Sequence, residues 1–152
     1  PKIKELKKKK IEVHFFSYYS KWDPQESYYY AADNTGFKPN SERTSGTYSK
    51  YASIDDKIDD FHFFTSYIKF GLGRASNDAS QEIRCGKITR EEGVNLVKKY
   101  DAEFPERHFK DFLEYINLSE ENFWKKVNDY RSPHLWKKEK GRWIIKHTVY
   151  DQ

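Results

Sequence analysis

The chain has a single cysteine, Cys85, and no methionine among its 152 residues. One thiol excludes an intramolecular disulfide framework and any zinc site built on several thiolates. It also points to a reducing cytoplasm as the compartment. No run approaches the ~20 apolar residues of a membrane span, and no apolar signal region follows the basic start. With Pro1 in first place and no Met anywhere, a fragment or processed piece of a longer protein is expected. The five histidines, His14, His62, His108, His134 and His147, have no i, i+4 partners, so no metal site is expected. There is no Gly-x-Ser-x-Gly elbow and no Walker loop, and Gly71-x-Gly73 lacks the third glycine of a dinucleotide fingerprint. Taken alone, these residues specify no reaction and single out no catalytic residue.

What is present is aromatic. Hydrophobic residues make up only 36% of the chain, yet Phe, Tyr and Trp reach 18%. Large rings bury much area each, which compensates for a shortage of aliphatic side chains. The length suffices for one domain with a real core. A pI near 9.0 suggests nucleic acid until the charge is located. Residues 1–10 hold six Lys and one Glu, leaving 22 basic and 23 acidic residues in the other 142. Phosphate binding needs a concentrated basic surface. The Lys7–Lys10 run reads instead as the solvated end of a helix, or a linker.

Ile11–Phe16 is β-branched and aromatic and reads as a short buried strand. Asp23, Pro24 and Glu26 then form an N-terminal helix signature, predicting a helix to about Asn34 stopped by Gly36. Strand followed by capped helix suggests that residues 1–36 are the end of an α/β nucleotide-binding domain. Residues 37–53 have no helical or strand period, which at that length points to a binding loop or a disordered segment. From 54 to 152 the pattern is helical. Ser53 is expected to cap a helix with Ile54, Ile58, Phe61 and Ile68 on one face. After the break at Gly71-Leu72-Gly73 a helix begins near Arg74. Others are capped at Thr89, opened by Pro105 and begun by Ser119-Glu120-Glu121. Their inward residues should be Val94, Val97 and Tyr100, then Phe109, Phe112, Leu113 and Ile116, then Phe123, Val127 and Tyr130. Gly141–Ile145 fits one short strand or an extended arm. The expected fold is mainly α, about six helices with one or two short strands.

Two stretches carry candidate chemistry. Over residues 74–85, Leu72, Ala75, Ala79 and Ile83 share one face, and Arg74, Asp78, Gln81 and Cys85 the opposite one. Arg with Asp at i+4 is a set able either to orient a polar ligand or to lock two elements together. The loop Arg43-Thr44-Ser45-Gly46-Thr47-Tyr48 combines a guanidinium, hydroxyls and a flexible glycine, suited to a phosphate or carboxylate but equally to an ordinary polar loop. Tyr48 and Tyr51 are placed either to stack on a sugar or base, or to cover core edges.

Several blocks in order resemble the C-terminal region of the N-acetyl sugar amidotransferase family, which includes lipopolysaccharide-biosynthesis proteins of the WbpG type. They are Trp22–Glu26, Arg43–Tyr48, Tyr51–Asp59, Tyr67–Ser76, Asp78–Arg84, Ile88–Gly93 and Arg131–Trp136. The resemblance implies the C-terminal part of a larger α/β PP-loop ATP pyrophosphatase-type enzyme. It implies conversion of an N-acetyl group on an activated or nucleotide-linked sugar to an acetamidino group, in surface polysaccharide (O-antigen) biosynthesis. ATP and Mg would serve the full-length enzyme, with ammonia from a glutaminase subunit. The family's Ser-Gly-Gly-x-Asp-Ser pyrophosphate loop does not occur in this sequence, so the chain alone is expected to bind neither cofactor and to be inactive. Family context assigns Arg43 and Arg74 to anion contact, Asp78 to orienting Arg74, and Lys57 and Arg84 to a ligand-facing rim, with Ser45, Gly46 and Tyr48 on the binding loop. The competing readings are a non-catalytic helical module that docks a partner subunit and, third, a nucleic-acid binder.

Overall fold

The computed structural model describes residues 2–151; Pro1 and Gln152 lie outside them. Seven α-helices and one hairpin occur among the described residues. The lysine-rich leader forms a short exposed helix, α1 (Ile3–Lys8). Asp23 caps α2 (Pro24–Thr35) by accepting from the Glu26 N–H, and Gly36 ends it, as the sequence signature requires. α3 (Asp59–Phe70) and α4 (Arg74–Cys85) are separated at Gly71–Gly73. A full capping box at Thr89 and Glu92 starts α5 (Arg90–Tyr100). α6 (Phe109–Tyr115) follows, and then α7 (Glu120–Asp129), capped by Ser119. Strands β1 (Trp136–Glu139) and β2 (Arg142–Ile145) pair antiparallel, with Trp136 opposite Ile145. Lys140 and Gly141 both adopt positive φ, the backbone that a two-residue type I′ hairpin turn demands.

The core is built from rings. Phe64 and Ile68 of α3, Phe123 and Val127 of α7 and Trp136 of β1 are buried together, with Phe104, Phe109 and Phe112 packed around them. Phe61 lies flat on Phe112, 4.1 Å between centroids, and Phe104 meets Phe64 edge-on at 4.9 Å. The edge-on contact is a geometry that ring quadrupoles favour. The Trp136 indole N–H donates to the Ile68 carbonyl at 2.7 Å, so its polar atom is satisfied inside the core.

The structure departs from several of these expectations. Ile11–Phe16 forms no strand. It runs into a 3-10 turn at Phe16–Tyr18 with Val13, Phe15 and Phe16 exposed, because a strand needs a neighbouring edge and none pairs with it among the described residues. Ser53 does not cap α3, which begins only at Asp59. The Asp56 carboxylate accepts from the Ile58 N–H at 2.6 Å, a local turn that competes with helix and leaves Ile54 exposed. Pro105 is fully buried in the α5–α6 connection, four residues ahead of α6. Tyr130, just past the end of α7, is exposed rather than inward. Trp136–Glu139, with no alternating pattern, becomes a strand only because residues 142–145 pair with it.

Helices α4 and α5 approach closely through small residues: Ala75 and Ala79 are fully covered, and Gly93 faces Ile83. At the start of α4 the approach is tighter still. A Cβ on Gly73 would stand 2.7 Å from the Asp101 carbonyl oxygen, which is backbone and cannot turn aside. Gly73→Ala should therefore lower stability by about 1–3 kcal/mol, the usual range for overpacking. Gly93→Ala should lower it less, because the atom in the way is the mobile end of Ile83. Thermal melts of the two variants check the order.

Candidate functional site

Loops with many polar groups normally stay in water, since burying them leaves donors and acceptors unpaired. The 37–53 loop is an exception, with Thr44, Thr47 and Ser49 buried. Its partners explain how. Arg43 forms a two-pronged ion pair with Glu103 at 2.5 Å and donates to the Thr47 carbonyl at 3.1 Å. Glu103 also accepts the Gly46 N–H at 2.8 Å, and the Arg43 guanidinium rests on the Tyr100 ring. This hydrogen-bonded guanidinium holds the Glu103 carboxyl below the usual range. Thr44 donates to the Ala52 carbonyl at 2.7 Å, closing the loop on itself.

The loop is fastened to α4 as well. The Ala75 N–H donates to the Gly46 carbonyl at 3.0 Å, and the Thr47 hydroxyl donates to Asp78 at 2.6 Å. Arg74 sits between three elements. Its Nε bonds Asp78 at 3.1 Å, its Nη1 reaches Ser53 at 3.1 Å and Asp59 at 3.4 Å, and its plane lies 4.2 Å from the centre of the Phe63 ring. Burial pushes the Asp78 carboxyl up, against the pull of Arg74 and Thr47.

The N-terminus of α4 is closed by a group the sequence reading missed. Asp101, buried at the end of α5, accepts from the N–H groups of Gly73 at 2.9 Å and Ser76 at 2.8 Å, and from the Ser76 hydroxyl at 2.7 Å. A second strap crosses the other end of α4. The Cys85 thiol donates to the Trp22 carbonyl, and Lys87 pairs with Asp23 and Glu26 across the start of α2.

Between these fastenings lies a pocket of about 230 Å³. Trp22 and Pro24 line it from the strap, Ser49, Tyr51 and Ala52 from the loop, and Arg74, Asp78, Gln81 and Glu82 from α4. Burial raises the Glu82 carboxyl above its ordinary range. The Tyr51 phenol is pushed up to about 12, first by burial and then by Glu82 and Asp78. Behind it, the buried Tyr48 hydroxyl is close enough to Glu82 to be held well above the tyrosine range by burial and that charge, yet it makes no hydrogen bond of sound geometry. The Ser49 hydroxyl is likewise buried without a partner. A larger cavity of about 440 Å³ between α4 and α5 is lined chiefly by apolar side chains such as Leu72, Ile83, Val94 and Val97 and has no facing carboxylates.

Of the eight candidate residues, Arg74 and Asp78 line the pocket, and Gly46, Tyr48 and half-buried Ser45 belong to the loop behind it. Arg43 lies off the pocket in its clasp with Glu103. Lys57 is exposed and paired with Asp111 at 2.8 Å. Arg84 is exposed and reaches Ser80 on its own helix, at 3.4 Å. Glu82 was discoverable, since it stands at i+4 from Asp78. Glu103 and Asp101 were not, because nothing local links them to residues 25 to 60 positions away.

No helix of the described residues is long and apolar enough to cross a membrane. Among curated proteins none matches the chain. The blocks that build the pocket's loop and α4 walls fall mostly within one family model, described as LPS biosynthesis protein WbpG-like, C-terminal domain, which matches residues 45–150. That match extends from α3 through α7 and the hairpin, and it connects the protein with lipopolysaccharide biosynthesis as part of a biosynthetic enzyme. With most of its length so matched, the chain belongs to the WbpG-like C-terminal domain family.

Proposed function

We propose that this chain is the substrate-side part of an ATP-dependent amidotransferase that converts a sugar N-acetyl group to an acetamidino group for O-antigen, with ammonia supplied by a glutaminase partner. The observation that carries the reading is convergence. Segments at 22–24, 49–52 and 74–82, far apart in the chain, meet around one polar pocket, and each belongs to or adjoins a block of the family resemblance. A docking module would not need half-buried carboxylates facing a cavity, so the pocket favours the enzyme over that reading.

The residues present do not fit ATP and Mg. Among the described residues no group of three His, Cys, Asp or Glu side chains is placed to hold a metal ion. Both candidate anion-binding arginines are also engaged by carboxylates, Arg43 by Glu103 and Arg74 by Asp78 and Asp59. The role argued for this chain is therefore to seat and orient the sugar, in a pocket whose groups are fixed before the substrate arrives.

The test is made in cells. Deletion of the gene for this protein should remove the acetamidino group from the O-antigen and leave the N-acetyl form, read by mass spectrometry as oxygen in place of NH. Complementation with Gln81→Ala should restore it only in part, because Gln81 lines the pocket and makes none of the fastenings. An unchanged O-antigen in the deletion strain rejects the proposed reaction.

A further inference from the structure

We infer that the pocket between Trp22, Tyr51 and the carboxylates of α4 is a subsite for a single uncharged sugar ring and excludes the phosphates attached to it. The inference deepens the proposed function and rests on it for the identity of the sugar, but the argument is one of charge and shape. The pocket walls carry two carboxylates, Asp78 and Glu82, and one cation, Arg74. That cation is already shared between Asp78 and Asp59, and its side chain is only 15% exposed. A phosphate entering here meets a net negative wall and a guanidinium whose charge is already neutralised, so like-charge repulsion opposes it. A hydroxyl meets the opposite situation. Carboxylates are acceptors only, and sugar hydroxyls are donors that they hold by charge-assisted hydrogen bonds.

Shape agrees with charge. The indole of Trp22 is exposed at the pocket's edge, an apolar face on which the C–H face of a pyranose packs. Tyr51 is braced from behind by Tyr28, stacked at 4.5 Å with the planes 10° apart, so that wall is rigid. The volume of about 230 Å³ is below the roughly 300–1,000 Å³ of pockets that enclose drug-sized ligands, and suits one ring rather than a whole nucleotide sugar. The Ser49 hydroxyl lines the same wall, buried and without a hydrogen-bond partner. A buried hydroxyl of this kind calls for a partner that the protein does not supply.

The experiment uses the 152-residue chain and two probes, free N-acetylglucosamine and UDP, each followed by saturation-transfer NMR and by titration calorimetry. The monosaccharide should bind with millimolar affinity and UDP should not compete with it. Glu82→Gln should weaken sugar binding about tenfold or more, the loss of one charged hydrogen bond, with an unchanged melting temperature. Trp22→Ala should weaken it too, and Trp22→Phe less. No monosaccharide signal, displacement of the sugar by UDP, or a Glu82→Gln chain that binds as well as wild type each overturns the subsite. The outcome is separable from that of the proposed reaction. Sugar binding by the chain alongside an unchanged O-antigen in the deletion strain rejects the reaction and leaves the subsite standing. Loss of the acetamidino group in cells without sugar binding by the chain does the reverse.

Discussion

Asp101→Ala should destabilise the protein by about 3–5 kcal/mol, because one side chain accepts three donors at the N-terminus of α4. Two backbone N–H groups, of Gly73 and Ser76, and the Ser76 hydroxyl all point at this carboxylate. A helix leaves its first N–H groups without intrahelical partners, and a carboxylate there also meets the positive end of the helix dipole. Loss of a cap alone is worth about 1 kcal/mol, and each buried donor left unsatisfied adds roughly 1–3. For a chain of this length the melting temperature should fall by roughly 10 °C. Asp101→Asn keeps one acceptor oxygen in place and should lose about half as much. A melting temperature within a degree of wild type for Asp101→Ala would mean that water replaces the carboxylate and that the cap is not structural.

Arg74→Ala should weaken the fold by a similar amount, about 3–5 kcal/mol, for a different reason. Breaking a buried ion pair from one side strands the remaining charge. Here Arg74 and Asp78 have side chains 15% and 16% exposed, and Asp59 shares the same guanidinium. The loss should depend on pH in a definite direction. Burial already raises the Asp78 carboxyl above its ordinary value, and Arg74 is the chief influence pulling it down. Without Arg74 the folded-state value rises further above the unfolded one. A carboxyl raised in this way favours the fold below its unfolded pKa, and that contribution is lost as pH rises through the folded value. The variant's deficit relative to wild type should thus be greatest near neutral pH and shrink as pH falls toward 4. Urea unfolding at several pH values measures it. A deficit that grows on acidification would contradict the assignment of Asp78 as the stranded charge. Replacing both partners by apolar residues should cost less than Arg74→Ala alone.

Both effects centre on α4, and this helix shows what a linear reading can and cannot reach. Its polar face was legible because helical periodicity puts Arg74, Asp78 and Gln81 on one side of any α-helix, whatever surrounds it. The sequence left two uses open for the Arg74–Asp78 pair, ligand contact and locking of elements. The structure shows the locking directly, through Thr47, Ser53 and Asp59, while Asp78 keeps a place in the pocket wall. The same logic explains the capped starts of α2, α5 and α7, where donor and acceptor lie within three residues of each other. It fails at α3, where a competing local turn at Asp56 delays the helix. It fails at Ile11–Phe16 because a strand's stability resides in a neighbour rather than in its own residues.

By itself, then, the sequence determined the helical class, most helix ends and the aromatic character of the core, since each depends on residues close in the chain or on composition, while the family was legible as a resemblance in blocks that follow one another in order from Trp22 to Trp136. Only the tertiary structure decided that Thr44, Thr47 and Ser49 of the 37–53 loop are buried, that Glu103 clasps Arg43, that Asp101 caps a helix 28 residues before it, and that Asp78 and Glu82 share a pocket wall with Arg74. Those features arise where groups distant in sequence meet, and no periodicity encodes which carboxylate a folded chain will bring to which guanidinium.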